Sequence, residues 1–152
     1  MERHNYPVPK SFSSAHINSE TYQELYRESI SSPDTFWDSM AREHISWQSN
    51  WATVVSGEFE KGNTEWFSGG TLNVSYNCVD RHLPSKAKKT AILWEGDHPG
   101  KTSHINFLEL KENVCRLANV LKTRGIKKGD RVCIYMPMVP EAIYSMLACA
   151  RI

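Results

Sequence analysis

Asn106-Phe107-Leu108-Glu109-Leu110-Lys111-Glu112-Asn113-Val114-Cys115-Arg116-Leu117-Ala118-Asn119-Val120-Leu121-Lys122-Thr123-Arg124-Gly125 decides the fold, because it holds a helix start, an apolar stripe and a helix stop in order. Asn106 with Glu109 three residues on has the form of a capping box, Asn replacing the usual Ser or Thr. Phe107, Leu110, Val114, Leu117, Ala118 and Leu121 recur at spacings of three and four, the stripe a helix lays on a sheet. Gly125 then supplies the left-handed stop. Upstream, Thr90 to Glu95 reads as a strand, 96–103 as a loop and His104 to Asn106 as a short returning strand. Downstream, Lys127-Lys128-Gly129-Asp130 makes a tight turn. Arg131 to Met136 follows as an apolar strand of the kind buried on both faces of a parallel sheet. Pro140 opens another helix, with Ile143, Met146, Leu147 and Ala150 expected on its inner face.

Strand, helix, strand, helix with short connections is the opening of an α/β layered domain. The apolar helix running to Ile152 has no local Gly, Asn or polar cap for its last carbonyls. With so few strands the sheet leaves apolar surface uncovered, so the unit is expected to be incomplete and the chain to be truncated.

Before this region the pattern changes. Residues 1–18, with Pro7, Pro9 and the stretch Ser11 to Ser14, read as a tail. Residues 19–83 read as a helical extension. Ser19 is expected to cap a helix through about Ile30, and Pro33 opens a second through about His44 with Phe36, Trp37 and Met40 on one face. Thr53 to Val55 and Glu65 to Phe67 are short strand candidates. A helix from about Asn73 to Leu83 is expected to turn Val74, Cys78 and Val79 inward. Pro84-Ser85 and the basic turn at Lys86, Lys88 and Lys89 mark a boundary, after which 84–152 form the second region.

Eighteen Lys and Arg against 17 Asp and Glu leave a net charge of +1, which gives no electrostatic case for a nucleic-acid partner or a membrane surface. The N-terminus lacks the apolar core of a signal peptide and no run of about 18 apolar residues occurs, so a cytoplasmic protein is expected. Cys78, Cys115, Cys133 and Cys149 form no CxxC pair and read as buried free thiols. The five tryptophans read as packing surfaces.

Several motifs tempt a chemical reading. Gly96-Asp97-His98-Pro99-Gly100-Lys101-Thr102 looks like a phosphate loop, yet a Walker loop has four residues between its glycines and this has three. Pro99 also removes a backbone donor, and a strand rather than a helix follows, so a hairpin loop is expected. His4, His16, His44, His82, His98 and His104 show no metal-ligand spacing. No serine sits in a nucleophile elbow. Asp80-Arg81-His82 reads as a local ion-pair surface and Asn73-Val74-Ser75, a glycosylation sequon, as a helix cap. From the residues alone follows an α/β segment with no catalytic, cofactor-binding or metal-binding residue.

The strings themselves say more. Trp94-Glu95-Gly96-Asp97, Ile105 to Leu110, Gly125 to Val132 and Tyr135-Met136-Pro137-Met138-Val139-Pro140-Glu141-Ala142 resemble AMP-forming acetyl-CoA synthetases of the acyl-adenylating superfamily. So do Pro33 to Trp37, Gly70 to Asn73, Asn77 to His82 and Leu147 to Ile152, in order from about Tyr22 onward. The resemblance implies that 19–83 are the synthetases' N-terminal extension and 84–152 the opening of their AMP-binding domain. It implies a parent ligase that joins acetate and CoA at the expense of ATP, with Mg²⁺, through acetyl-AMP. The phosphate loop, acyl pocket, CoA contacts and adenylation lysine of that family lie beyond the matched strings, so no site residue carries over and these residues alone are expected to be inactive. A propionyl-CoA synthetase and a stand-alone interaction module are the alternatives, and self-association through the uncovered sheet is expected.

Overall fold

The computed structural model describes residues 6–152; the start of the tail and His4 lie outside them. The chain divides into two compact units, Met1–His44 and Ile45–Ile152.

In the first unit a 3-10 turn at Lys10–Phe12 precedes α1 (Ser19–Ser31) and α2 (Pro33–His44). The cap of α1 is Asn18 rather than Ser19. Its side-chain oxygen accepts from the Thr21 amide at 2.8 Å, and an amide oxygen held at that position satisfies one of the orphan N–H groups of the first turn. Tyr22 and Tyr26 stack at 6.1 Å along α1, one turn apart. In α2, Phe36 and Ala41 are buried, while Asp38 receives two hydrogen bonds from Arg42, at 2.7 and 3.0 Å.

The second unit begins with β1 (Thr53–Ser56) and β2 (Glu65–Ser68), an antiparallel pair. Trp47, Trp51 and Phe67 cluster here with ring centroids 4.7–5.4 Å apart, the packing role read for the tryptophans, whereas Trp37 and Trp66 are exposed. Phe67 sits at φ +53°, a costly conformation for a residue with a Cβ, and the two indoles hold it there.

The expected helix over 73–83 is broken into pieces: α3 (Val74–Cys78), a 3-10 turn at Asp80–His82, and α4 (Leu83–Lys86). Val79, at φ −124° and ψ −67°, interrupts it. Val79 is fully buried as expected, but Val74 and Cys78 are exposed, because the buried side of α3 is the one that carries Ser75, four residues before Val79. Cys133 is exposed too and Cys115 and Cys149 are half-buried, so the thiols are free as expected but not buried.

β3 (Thr90–Glu95) and β4 (Thr102–Asn106) form an antiparallel hairpin whose register slips between Thr90 and Ile92. Then comes α5 (Phe107–Thr123), with both halves of its capping box made: Asn106 accepts from the Glu109 amide and Glu109 accepts from the Asn106 amide, each at 2.9 Å. Gly125 ends it at φ +88°. Leu110, Val114 and Ala118 of the stripe are buried and pack with Val79, Ile105 and Ala148 as the core of this unit.

Residues 131–136 depart from expectation. They form no strand, carry no turn or bend, and leave Tyr135 fully exposed. A strand exists only by pairing, and no other strand of the described residues runs beside this segment. The last helix, α6 (Pro140–Arg151), starts at Pro140 as expected but buries Ser145 and Ala148, leaving Met146 and Ala150 exposed. The α/β class read from the sequence holds, with helices preceding and following small antiparallel pairs.

Candidate functional site

The strings singled out in the sequence meet in pairs. Trp94, on β3, donates its indole N–H to the Met138 carbonyl at 2.7 Å, joining the hairpin to the Met136–Pro140 loop. A β-carbon at Gly96 would stand 2.9 Å from the Trp94 ring, so the small residue there lets the indole lie flat, and the Lys101 ammonium sits 5.6 Å from the ring centre. Between them is an open recess of about 390 Å³.

The second meeting place is the end of α6. Asp80 receives a hydrogen bond from Arg151 and lies 3.9 Å from the Lys111 ammonium, with only 14% of its side chain exposed. The expected local ion-pair surface is therefore a long-range cluster: Arg81 turns to the Asn77 side chain at 3.1 Å, and the His82 ring lies 5.3 Å from that of Phe107. Chiefly burial, then the charges of Lys86 and Arg81, hold the His82 imidazole below its ordinary pKa, partly offset by a hydrogen bond at Asn77. Burial foremost, then Glu141 and Glu109, pushes the Tyr144 phenol up.

Asn73 caps two helices at once. Its oxygen accepts from the Tyr76 amide at 2.9 Å, as the sequence led one to expect, and its nitrogen donates to the carbonyls of Ala150 and Arg151 at 3.1 and 3.3 Å. The polar cap that α6 lacks in sequence thus arrives from a distance. With Asn73 so engaged and Ser75 fully buried, this sequon is closed to a glycan in the folded chain. Asn77 pairs with Ser46 through two reciprocal bonds of 2.8 and 2.9 Å. Sequence reasoning gave neither Asn77 nor the second role of Asn73; the only trace is two asparagines four residues apart, on one helix face. A recess of about 410 Å³ opens between Asn73, Arg151 and the turn Ile126–Asp130. That turn closes on a bond from the Lys127 amide to the Asp130 carboxylate at 2.7 Å.

The Gly96–Thr102 segment has the form of a hairpin loop. It closes with the Gly96 amide bonded to the Lys101 carbonyl at 2.8 Å, and β4 follows it directly, so no helix N-terminus faces a ligand. Among the described residues no three His, Cys, Asp or Glu side chains gather where a metal ion would be held. No helix there is long and apolar enough to cross a membrane.

Comparison with known proteins assigns this framework. The model of the acetyl-coenzyme A synthetase N-terminus matches residues 22–78, and that of the AMP-binding enzymes matches 79–152. The chain belongs to the AMP-binding enzyme family. Within it, the chain has the N-terminal region of the acetyl-coenzyme A synthetases. It is 54% identical over 97% of its length to acetyl-coenzyme A synthetase 2 of Pseudomonas aeruginosa and 56% identical over 98% to the acetyl-coenzyme A synthetase of Saccharophagus degradans. It spans 23% of the length of each. The solved acetoacetyl-CoA synthetase of Streptomyces lividans superposes on 92% of this chain with a TM-score of 0.75 at 26% identity, 22% of that protein being covered.

Proposed function

We propose that these residues are the structural opening of an acetate–CoA ligase. The parent converts acetate, ATP and CoA to acetyl-CoA, AMP and diphosphate through acetyl-AMP, in the cytoplasm. The observation that carries this reading is the unbroken likeness: identity above half over nearly the whole chain to acetyl-coenzyme A synthetases, with the two family models abutting at residues 78 and 79.

In that reading no residue of 1–152 touches the reacting atoms or binds ATP, Mg²⁺ or CoA. Adenylation brings a carboxylate against a polyphosphate, so the site must supply cations and preorganised donors. The hairpin loop, whose amide is turned inward, supports placing those groups elsewhere. What 1–152 contribute is position: Asp80 and Asn73 fix the end of α6, and Trp94 fixes the loop that leads into it.

The test is acetate-dependent exchange of diphosphate into ATP. Purified residues 1–152 are expected to give none, and turnover by them overturns the framework reading. A protein carrying these residues at the head of a synthetase-length chain is expected to prefer acetate; a preference for propionate or acetoacetate overturns the substrate assignment.

A further inference from the structure

We infer that Asn77 is a staple that binds residues 45–78 into the folding unit of α5, so that the piece of this chain able to open by itself ends at His44 and not at the 78/79 boundary of the two family models. The inference concerns how the chain holds together and is independent of the ligase reading.

A carboxamide carries the same donor and acceptor as a peptide unit, and at Asn77 it is used as one. Its oxygen accepts from the Ser46 amide at 2.8 Å and its nitrogen donates to the Ser46 carbonyl at 2.9 Å, the two-bond ring that a neighbouring antiparallel strand would make. The second N–H goes to the Asn73 carbonyl at 3.0 Å and the second lone pair accepts from the Arg81 guanidinium at 3.1 Å, so the side chain is used in full. Ser46 is half-buried and stands just past the end of α2. Removing Asn77 strips a partner from both of its backbone groups.

The staple continues on both sides. Beyond Ser46, the amides of Gln48 and Ser49 donate to the Thr71 carbonyl at 2.8 and 3.2 Å, the Thr71 amide donates to the Ser49 carbonyl at 3.0 Å, and the Ala52 amide donates to the Ser68 carbonyl at 2.9 Å. Residues 46–52 are thereby laced to 68–77. Beyond Asn77, the Val79 amide donates to the Ser75 carbonyl at 3.0 Å, and the Val79 side chain, fully buried, sits in one core with Leu110, Val114 and Ala118 of α5. Boundaries between folding units fall where few contacts cross. A division at 78/79 would cut between the staple and the core residue it leads to.

Amide hydrogen exchange of the whole 152-residue chain, followed residue by residue by NMR, tests this. Asn77→Ala is expected to speed exchange at Gln48 and Thr71 by roughly tenfold or more while α1 and α2 stay as they were. Val79→Ala is expected to speed exchange at Gln48, at Thr71 and in α5 alike, again sparing α1 and α2. Phe36→Ala, which opens a buried site in α2, is expected to do the reverse and speed α1 and α2 alone. Exchange at Gln48 and Thr71 that ignores Asn77→Ala overturns the staple. Exchange there that rises with Phe36→Ala, or fails to rise with Val79→Ala, overturns the boundary.

Discussion

α5 and residues 131–136 are both apolar segments of the same unit, and both read from sequence as core. The first buries Leu110, Val114 and Ala118; the second leaves its tyrosine wholly in solvent. A helix closes its hydrogen bonds within itself and needs only a surface for one stripe, which Ile105 and Ala148 supply here. A strand draws its hydrogen bonds from a neighbour and is left bare without one. Burial of α5 thus follows from residues inside this unit, whereas 131–136 pair with no strand among the described residues.

The contrast is broken most directly at the core. Leu110→Ala is expected to lose about 2–5 kcal/mol in urea denaturation, because its site is closed on all sides. Ile134→Ala in the unpaired segment, where the side chain is only half-buried, is expected to lose under about 1 kcal/mol. Equal losses would mean that 131–136 are packed after all.

Next in size is the cluster that ties α6 to the rest. Asp80→Asn keeps the shape but takes the charge from between Arg151 and Lys111, and is expected to cost about 1–3 kcal/mol. The loss should appear first as faster amide exchange in the last turn of α6, whereas exchange unchanged there would show that Asn73 alone holds that end. Smaller still is the cap of α5. Asn106→Ala is expected to cost about 1 kcal/mol by thermal melting, and Asn106→Asp close to nothing, since a carboxylate accepts the same bond. A cost for Asn106→Asp as large as for Asn106→Ala would mean that the cap is not what holds the helix start.

The smallest effect is a pH slope. Unfolded, His82 gains a proton near the ordinary value of about 6.5; folded, it does so only at lower pH. Between those two values the unfolded state holds more protons. Stability therefore falls as pH drops through that window and is indifferent to this group above and below it. His82→Gln is expected to flatten the decline in melting temperature between about pH 7 and 5 by the share this group contributes. An unchanged slope would show that the imidazole titrates normally beside Phe107.

Legibility followed the range of the interactions. The capping box, the Gly125 stop and the Pro33 and Pro140 starts were readable because each joins residues within one turn. The face of the 73–83 region was misread because the side packed inward carries Ser75 and Val79, four residues apart, and a serine gives no apolar signal; nor does the periodicity mark the break at Val79 that ends α3. The family strings were readable as a set, yet their pairing was not: Trp94 reaches a carbonyl 44 residues away.

The sequence by itself determined the starts of α2, α5 and α6, the stop of α5, the hairpin form of the Gly96–Thr102 loop, and the kinship with acetyl-coenzyme A synthetases. These rest on neighbours within a few positions or on the order of the letters. Only the tertiary structure decided that Asp80 holds Arg151, that Asn73 caps α6, and that 131–136 stand unpaired. Arg151 lies 71 residues from Asp80, and the α6 carbonyls that Asn73 caps lie 77 and 78 residues from it; such contacts depend on how the chain returns on itself, which no local spacing encodes.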